Sequence, residues 1–415
     1  MSFLAARSRP RGSLTCLACT LIVLSGCATW TAPIDSGDTP LRTRAVTKGK
    51  PGVRVSAAVL GPEDCVRMLG RDVTADGVQP VWIEVTNDTE AVLWLLRSGA
   101  DPDYFSPLEV AWPAHGTLSP GINARIDEHF NQLAFPNPIP ARGTSSGILF
   151  TNPQPVTKLL TVDLLGSRMM IPFTLLLPVP GDTAGAKDVV HQYPENEISD
   201  YEDLDALRHA LEGLPCCAAT ADGRQDGEPL NVVLIGHLDD IAAAINRRGY
   251  RRDQLALVGS QRLFARPADL TVRKRAQAGA STSRLRIWRT PISYRGEMVF
   301  VAQAGRPIGG RFPGEASQGM RLHADVDEVR NELIHDFMYS GGLEKLAFVS
   351  GVGAVAVDRP RPLPGGGRYF TDGRRVALFL STRPRTFADV EILQWEPILA
   401  GRPAEETKDV IGADN

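Results

Sequence analysis

Residues 231–249 read NVVLIGHLDDIAAAINRRG, and the fold of the second half of the chain turns on them. Positions 231–235 are a short apolar run, too brief for a helix, which is the pattern of a buried strand. Positions 238–248 change period: Leu238, Ile241 and Ile245 fall on one helical face, and Gly249 supplies the C-terminal stop. A buried strand feeding an amphipathic helix needs a sheet around it. Upstream, Leu204, Leu207, Leu211 and Leu214 make an apolar stripe at helical spacing, with Ser199 and Glu202 spaced as a capping box. Downstream, residues 284–289 and 298–303 read as two strands around Tyr294-Arg295-Gly296, which predicts an antiparallel hairpin. A helix is expected over 325–340, ended by Gly341-Gly342, then a strand over 345–350, with 375–381 offering one more. The order β-α-β-β-α-β is that of ferredoxin-like folds. Residues 199–400 are therefore read as an α+β domain of that order, followed by a polar tail over 401–415.

Residues 52–180 follow a different rhythm, with short apolar-polar alternations separated by Pro, Gly and Asn turns. Examples are Val81-Trp82-Ile83-Glu84-Val85 and positions 91–96 and 158–165. Asn87-Asp88 between the first two favours a tight hairpin. Strand density predicts an all-β, immunoglobulin-like sandwich. Trp82, Trp94, Trp112 and Phe135 are expected to fill its core or plug its loops, with carbohydrate stacking the alternative use of such rings. Residues 181–198, polar and containing Gly181-Asp182 and Pro194, read as the linker between domains.

The N-terminus carries an address. Arg7, Arg9 and Arg11 precede a short apolar run, and Leu24-Ser25-Gly26-Cys27 sets a branched apolar residue and two small ones directly before a cysteine. That is a signal peptide over 1–26 with a lipoprotein processing site, and its apolar run is about half the ~20 residues a membrane span needs. Lipid on Cys27, palmitate included, is the expected anchor. Each buried methylene contributes ~0.8 kcal/mol, so stable attachment takes more than one chain, as in the bacterial lipoproteins this N-terminus resembles. In many of those, an aspartate after the cysteine signals inner-membrane retention; Ala28 stands here, so the expected address is the periplasmic face of the outer membrane. Residues 27–51, rich in Thr, Pro, Gly and Lys, read as a flexible tether. Cys65, Cys216 and Cys217 then meet an oxidising compartment. Either Cys65 joins one of the adjacent two or Cys216 and Cys217 form a vicinal bridge, and counting does not choose. Cys16 and Cys19 leave with the signal, and among the three that remain no CxxC spacing or neighbouring histidine suggests a metal, so no metal and no cofactor beyond the lipid is expected.

Four motifs coincide in the second half: Leu214-Pro215-Cys216-Cys217; EPLNVVLIG over 228–236; Arg284-Leu285-Arg286-Ile287-Trp288-Arg289; and His323-Ala324-Asp325-Val326-Asp327-Glu328-Val329-Arg330. Together they resemble the LssY-type C-terminal domain over residues 200–355. The resemblance implies kinship with domains attached to membrane-embedded phosphatase-like and permease-like modules and a loose tie to secretion. It implies no defined activity.

His323, Asp325 and Asp327 surround the expected start of the 325–340 helix, where free N–H groups and the helix dipole favour acids. They are the candidate catalytic group, with His323 as general base or metal ligand; the plainer reading is capping and surface charge. Glu328, Glu332 and His335 share a helical face, but a single Glu-x-x-His makes only half of a di-metal carboxylate site. His237, before Asp239-Asp240, reads as a helix cap. No Walker loop or His-Glu-x-x-His occurs, which disfavours an ordinary ATPase or a zinc-dependent hydrolase.

Between Arg247 and Arg289 twelve basic residues meet only Asp253 and Asp269, in a chain whose formal charge is −3. Guanidinium forks suit phosphates, which makes Arg284, Arg286 and Arg289 candidate phosphate ligands. Nucleic acid is largely absent from the envelope. The expected partners are the membrane itself, an anionic lipid or phosphorylated envelope component, and other envelope proteins. Alternatively, the basic segment pairs with the acidic remainder of the chain across the domain interface. The expected function is a lipid-anchored binding or scaffold component of the envelope. The alternative is a hydrolase of a phosphorylated lipid or glycan, worked by His323, Asp325 and Asp327 with Arg286 on the phosphate.

Overall fold

The structure, a computed structural model, describes residues 30, 32–33, 37–117, 119–154, 157–181, 190–253, 261–275, 281–308, 321–364, 366–381 and 383–396. The expected signal peptide over 1–26, Cys27 and the expected 401–415 tail lie outside the described residues. The described chain mixes helices with several sheets and is mostly strand.

The first half holds seven strands: β1 (Val46–Lys50), β2 (Val53–Val59), β3 (Gln79–Asn87), β4 (Trp94–Leu96), β5 (Gly143–Thr151), β6 (Thr157–Leu165) and β7 (Met170–Pro178). They form two antiparallel sheets, β1-β2-β3-β5 and β4-β6-β7. Val55, Ala57, Ile83 and Val85 of one sheet and Val162, Leu164, Phe173 and Leu175 of the other join in one buried core. The period-2 alternation did point the right residues inward.

The unit is not all-β, however. Helices α1 (Thr39–Arg44), α2 (Pro62–Leu69), α3 (Arg97–Ala100), α4 (Pro107–Ala111) and α5 (Pro120–Leu133) interrupt the strands. Ile126 and Phe130 of α5 and Met68 and Leu69 of α2 cover the outer face of the first sheet, over Trp82 and Phe150. Residues 39–50, expected in a flexible tether, are folded as α1 and β1, because Leu41 is fully buried and β1 pairs along β2. Asn87-Asp88 does not make the expected hairpin either: β3 pairs with β2 and β5, while β4 crosses to the other sheet. Asn87, wholly buried, instead donates to the carbonyls of Ala91 and Pro140. Trp82 and Phe135 are core residues, but Trp94 and Trp112 are exposed.

The second half adds β8 (Ser199–Tyr201), α6 (Leu204–Glu212), β9 (Cys217–Thr220), β10 (Asp226–Pro229), β11 (Val232–Ile235), α7 (Leu238–Arg247), β12 (Tyr250–Arg252), β13 (Gln261–Arg262), β14 (Leu270–Arg275), β15 (Ser281–Tyr294) and β16 (Glu297–Gly305). Then follow β17 (Pro307–Ile308), β18 (Arg321–Leu322), α8 (Val326–Tyr339), β19 (Leu343–Ser350), β20 (Arg361–Pro362), β21 (Arg368–Tyr369), β22 (Arg374–Leu380) and β23 (Glu391–Ile392). The main sheet runs β12-β14-β15-β16-β11-β22-β19-β23, with β8 alongside β15. The 284–289 and 298–303 strands pair antiparallel as expected. Arg295 and Gly296, both with positive φ, form a two-residue turn suited to the twist of a hairpin. The strand over 375–381 is β22, parallel to β11 and wedged between β11 and β19. The four strands of a ferredoxin-like order are therefore not contiguous.

Helices α7 and α8 cover one face of this sheet, through Ile241, Ile245, Val329, Leu333 and Phe337. Helix α6 covers the other, through Leu207 and Leu211. Its start is not the Ser199 capping box: Ser199–Tyr201 is a strand, and Asp203 caps α6 by accepting from the N–H groups of Asp205 and Ala206. Part of the expected 181–198 linker is also packed, with Val190 in the α7–α8 core and the Tyr193 hydroxyl donating to the Arg289 carbonyl at 3.2 Å. Helix α7 sits between the two halves, because Asn246, fully buried, donates to the carbonyls of Gly99 and Ala100.

Candidate functional site

Helix α8 begins where the acids predicted it. Asp325 is its N-cap, and one carboxylate oxygen accepts from the N–H groups of Asp327 and Glu328 at 3.0 and 3.1 Å. Asp327 accepts from the Thr371 hydroxyl at 2.7 Å and the Asp372 N–H at 2.6 Å, and lies 3.3 Å from Arg330. Burial nevertheless pushes the Asp327 carboxyl above its ordinary value, Arg330 only partly opposing it. Asp372 shows the reverse balance: burial would raise it, but Arg330, joined by the Arg374 N–H and charge, holds it low. His323 places Nδ1 3.1 Å from the Asp325 carbonyl and Nε2 3.6 Å from Glu328. His323 and Asp325 are thus engaged at the start of α8, and Asp327 ties that start to Thr371 and Asp372.

Arg286 belongs to a different set of contacts. Its guanidinium meets Gln303 at 3.2 Å and Glu228 at 3.4 Å, partners that His323, Asp325 and Asp327 do not share. Burial lowers the pKa of Arg286, with Glu228 opposing. Arg284 reaches the same Glu228 at 3.2 Å. Arg289 lies on the opposite side of β15, under α7 and α8, and donates to the carbonyls of Thr290, Ile292 and Val299. It is a buried cation whose Nη1 serves all three carbonyls. Of the three candidate arginines, Arg284 lines an open space. That space is a cleft of about 590 Å³ bounded by Arg273, Arg284, Glu228, Gln225, Gln261 and Leu322 among others. Arg273, absent from the motifs, was discoverable from the strand register that sets it directly opposite Arg284.

The remaining candidates have plain roles. Glu332 is ion-paired with Arg306 at 2.7 Å and His335 is exposed, so the half di-metal site does not assemble. His237 occupies the N-cap position of α7 without a side-chain capping bond. Cys216 and Cys217 are bonded to each other, and Cys65 is a free, buried thiol on α2. Burial, together with nearby Asp72, pushes the Cys65 thiol up to about 12, which leaves it unreactive at neutral pH. The basic segment is largely satisfied from within. Arg247 pairs with Asp163, Arg251 with Asp101, Arg248 and Lys274 with Asp336, and Arg266 with Asp269.

Residues 251–374 match the family described as LssY C-terminus. The match begins later and ends later than the 200–355 resemblance. It takes in β12, β14 to β16, α8 and β19, and with them Arg273, Arg284, Arg286 and the His323–Asp327 group. The LssY-like region therefore contains the guanidinium-bearing sheet edge but leaves out β11 and α7. No curated protein matches the chain. No helix among the described residues is long and apolar enough to cross a membrane.

Proposed function

We propose that this chain is a lipid-anchored envelope protein that works by binding, holding a phosphorylated or anionic envelope component or a neighbouring protein near the membrane. The observation that carries the reading is the engagement of His323, Asp325 and Asp327: each is committed to the α8 N-terminus, and none shares a partner with Arg286. Asp325 spends its carboxylate on the helix cap and Asp327 on Thr371 and Asp372, while His323 Nδ1 is held by the Asp325 carbonyl, so the three groups and Arg286 do not converge on one set of contacts. Exposed apolar pairs on the first half add support. Trp94 faces Leu165 across two strands, and Leu108 and Trp112 share a face of α4, all well exposed where surface apolar residues usually stand singly. In the same reading the paired N-terminal sheets are an immunoglobulin-like sandwich, and the C-terminal sheet is a ferredoxin-like core with β22 inserted. The anchor is lipid on Cys27, at the periplasmic face of the outer membrane.

Crosslinking in intact cells, followed by detergent extraction, is expected to recover a defined envelope partner, and mass spectrometry to find acyl groups on Cys27. Capture of nothing would sink the scaffold reading. Release of phosphate from a headgroup panel, abolished by His323→Ala in a folded protein, would replace it with the hydrolase.

A further inference from the structure

The sheet face turned away from α7 and α8 carries a row of guanidinium groups. Arg251 on β12 lies opposite Arg273 on β14, which lies opposite Arg284 on β15, which lies opposite Gly305 on β16. Directly paired residues share a face of the sheet, so the three arginines form one cross-strand rung. Arg286 joins them one rung along, between Thr271 and Gln303. Like charges opposite one another repel, so this arrangement requires anions. Three largely buried carboxylates reach it: Asp101 lies 2.5 Å from Arg251, Asp253 2.6 Å from Arg273, and Glu228 is shared by Arg284 and Arg286. A fourth, Asp103, is 3.6 Å from Arg251 but 79% exposed.

Donors are left over. Among the described residues, Nε of Arg251, Arg273 and Arg284 and Nε2 of Gln303 have no hydrogen-bond partner although each atom is out of contact with water. Gln303 is wholly buried and Arg251 is 4% exposed. Gly305 marks where the row meets the cleft: a Cβ there would stand 2.5 Å from Gln303 Nε2 and 3.6 Å from Glu228. Arg273 and Arg284 open onto the cleft of about 590 Å³, which also presents Thr220, Gln225 and Gln261, with Glu228 already paired to Arg284 and Asp222 accepting from the Thr220 hydroxyl. Those shielded atoms leave the row short of acceptors, while the Arg273 and Arg284 side chains, 34% and 16% exposed, keep part of their length toward the cleft, where an anion can meet them.

We propose that this cleft binds a phosphate monoester carried on a hydroxylated headgroup, with Arg273 and Arg284 on the phosphate and Thr220, Gln225 and Gln261 on the hydroxyls. The proposal rests on the binding reading given above and names its ligand class. A phosphate monoester brings up to two negative charges and three acceptor oxygens, which two guanidinium forks can meet together. The volume exceeds what a bare phosphate would fill, and the amide and hydroxyl lining suits a sugar or polyol.

The full chain carrying Cys27→Ser, so that lipid does not drive vesicle binding, is titrated calorimetrically with glucose 6-phosphate and with glucose. It is also floated with phosphatidylcholine vesicles, with and without phosphatidylinositol 4-phosphate. Saturable binding of glucose 6-phosphate but not glucose, weakened about tenfold or more by Arg284→Gln, supports the site with a soluble ligand. Binding confined to the phosphoinositide vesicles, weakened likewise, supports it with a lipid-borne headgroup. Arg273→Gln, on a side chain 34% exposed, is the second variant should Arg284→Gln disturb folding. Folded wild-type protein that binds neither probe, or binding indifferent to both substitutions, overturns the site. Partner capture through crosslinking is read independently, so failure of the cleft and failure of the scaffold reading are distinguishable.

Discussion

Arg375 is completely buried, and its bonds among the described residues run to backbone carbonyls. Nε donates to Leu230, Nη1 to Leu211, and Nη2 to Leu214, Pro215 and Gly351. Burial lowers its pKa to about 10, still far above neutral, so a full cation is held by oriented carbonyl dipoles. It ties the C-terminal end of α6 and the turn before Cys216 to β22 and β11. Gly351 belongs to the same clamp: its φ is +126°, and a Cβ would lie 2.6 Å from Arg375 Nη1. Arg375→Met should cost about 3–5 kcal/mol, because it strands several buried carbonyls at once. Urea denaturation reads the loss, and an unchanged midpoint would remove Arg375 from the core. Half of this was legible in the sequence. Strand alternation puts Arg375 on the face of Ala377 and Phe379, but the carbonyls it meets lie more than a hundred residues upstream or across a turn, where no local pattern points.

Elements were legible where their signals were local. The α8 start, the β15–β16 hairpin and the strand at 232–235 all rest on caps, turns and periods within a few residues; the α8 start and the 232–235 strand stand within a residue of expectation, and the hairpin turns where expected although β15 runs three residues longer at its start and five at its end. The α6 start was misplaced because Ser199 and Glu202 imitate a capping box while Ser199–Tyr201 is drawn into parallel pairing with Ile292–Tyr294. Such a pairing is settled by distant sequence. The helices of the first half had a readable signal that strand density masked: Ser106 and Glu109 form a true capping box with Pro107 at the first helical position. For α6 the two starts predict opposite outcomes. Asp203→Ala should lower stability by about 1 kcal/mol through loss of the cap, and Ser199→Ala by less than about 0.5 kcal/mol. Thermal unfolding of the two variants decides, and a larger effect at Ser199 would restore the earlier start.

At the scale of the whole molecule, the basic segment is answered by acids of the first half, and that answer holds the two halves together. Arg247 makes two 2.8 Å bonds to Asp163, itself 1% exposed, and Arg251 reaches Asp101. The excess of positive charge between 247 and 289 was plain in the sequence; which acids meet it was not, since Asp101 and Asp163 sit among strands and loops with no mark of their partners. Arg247→Ala should therefore destabilise by about 3–5 kcal/mol by leaving Asp163 buried and alone. In calorimetry the C-terminal unit should then melt ahead of the first, and a single unshifted transition would contradict this coupling.

Asp101 gives the same interface a pH dependence whose sign follows from its surroundings. Burial alone would raise its carboxyl, but Arg251, Lys158 and the Asn152 N–H outweigh burial and hold it below the ordinary carboxylate value. In the unfolded chain the carboxyl returns to about 3.9, so on acidification the unfolded state takes up the proton first. The stabilisation is accordingly complete above that unfolded value and is lost as pH falls through the depressed folded one. Asp101→Asn removes the titrating group and leaves Arg251 without its buried charge partner, the exposed Asp103 staying 3.6 Å away. The mutant should be clearly less stable than the wild type at pH 7, and urea midpoints should converge as the pH is lowered from about 5 toward 2. A stability difference that stays constant across that range would mean that the Asp101–Arg251 pair does not carry the interface, and that the packing of Asn246 against Gly99 and Ala100 does.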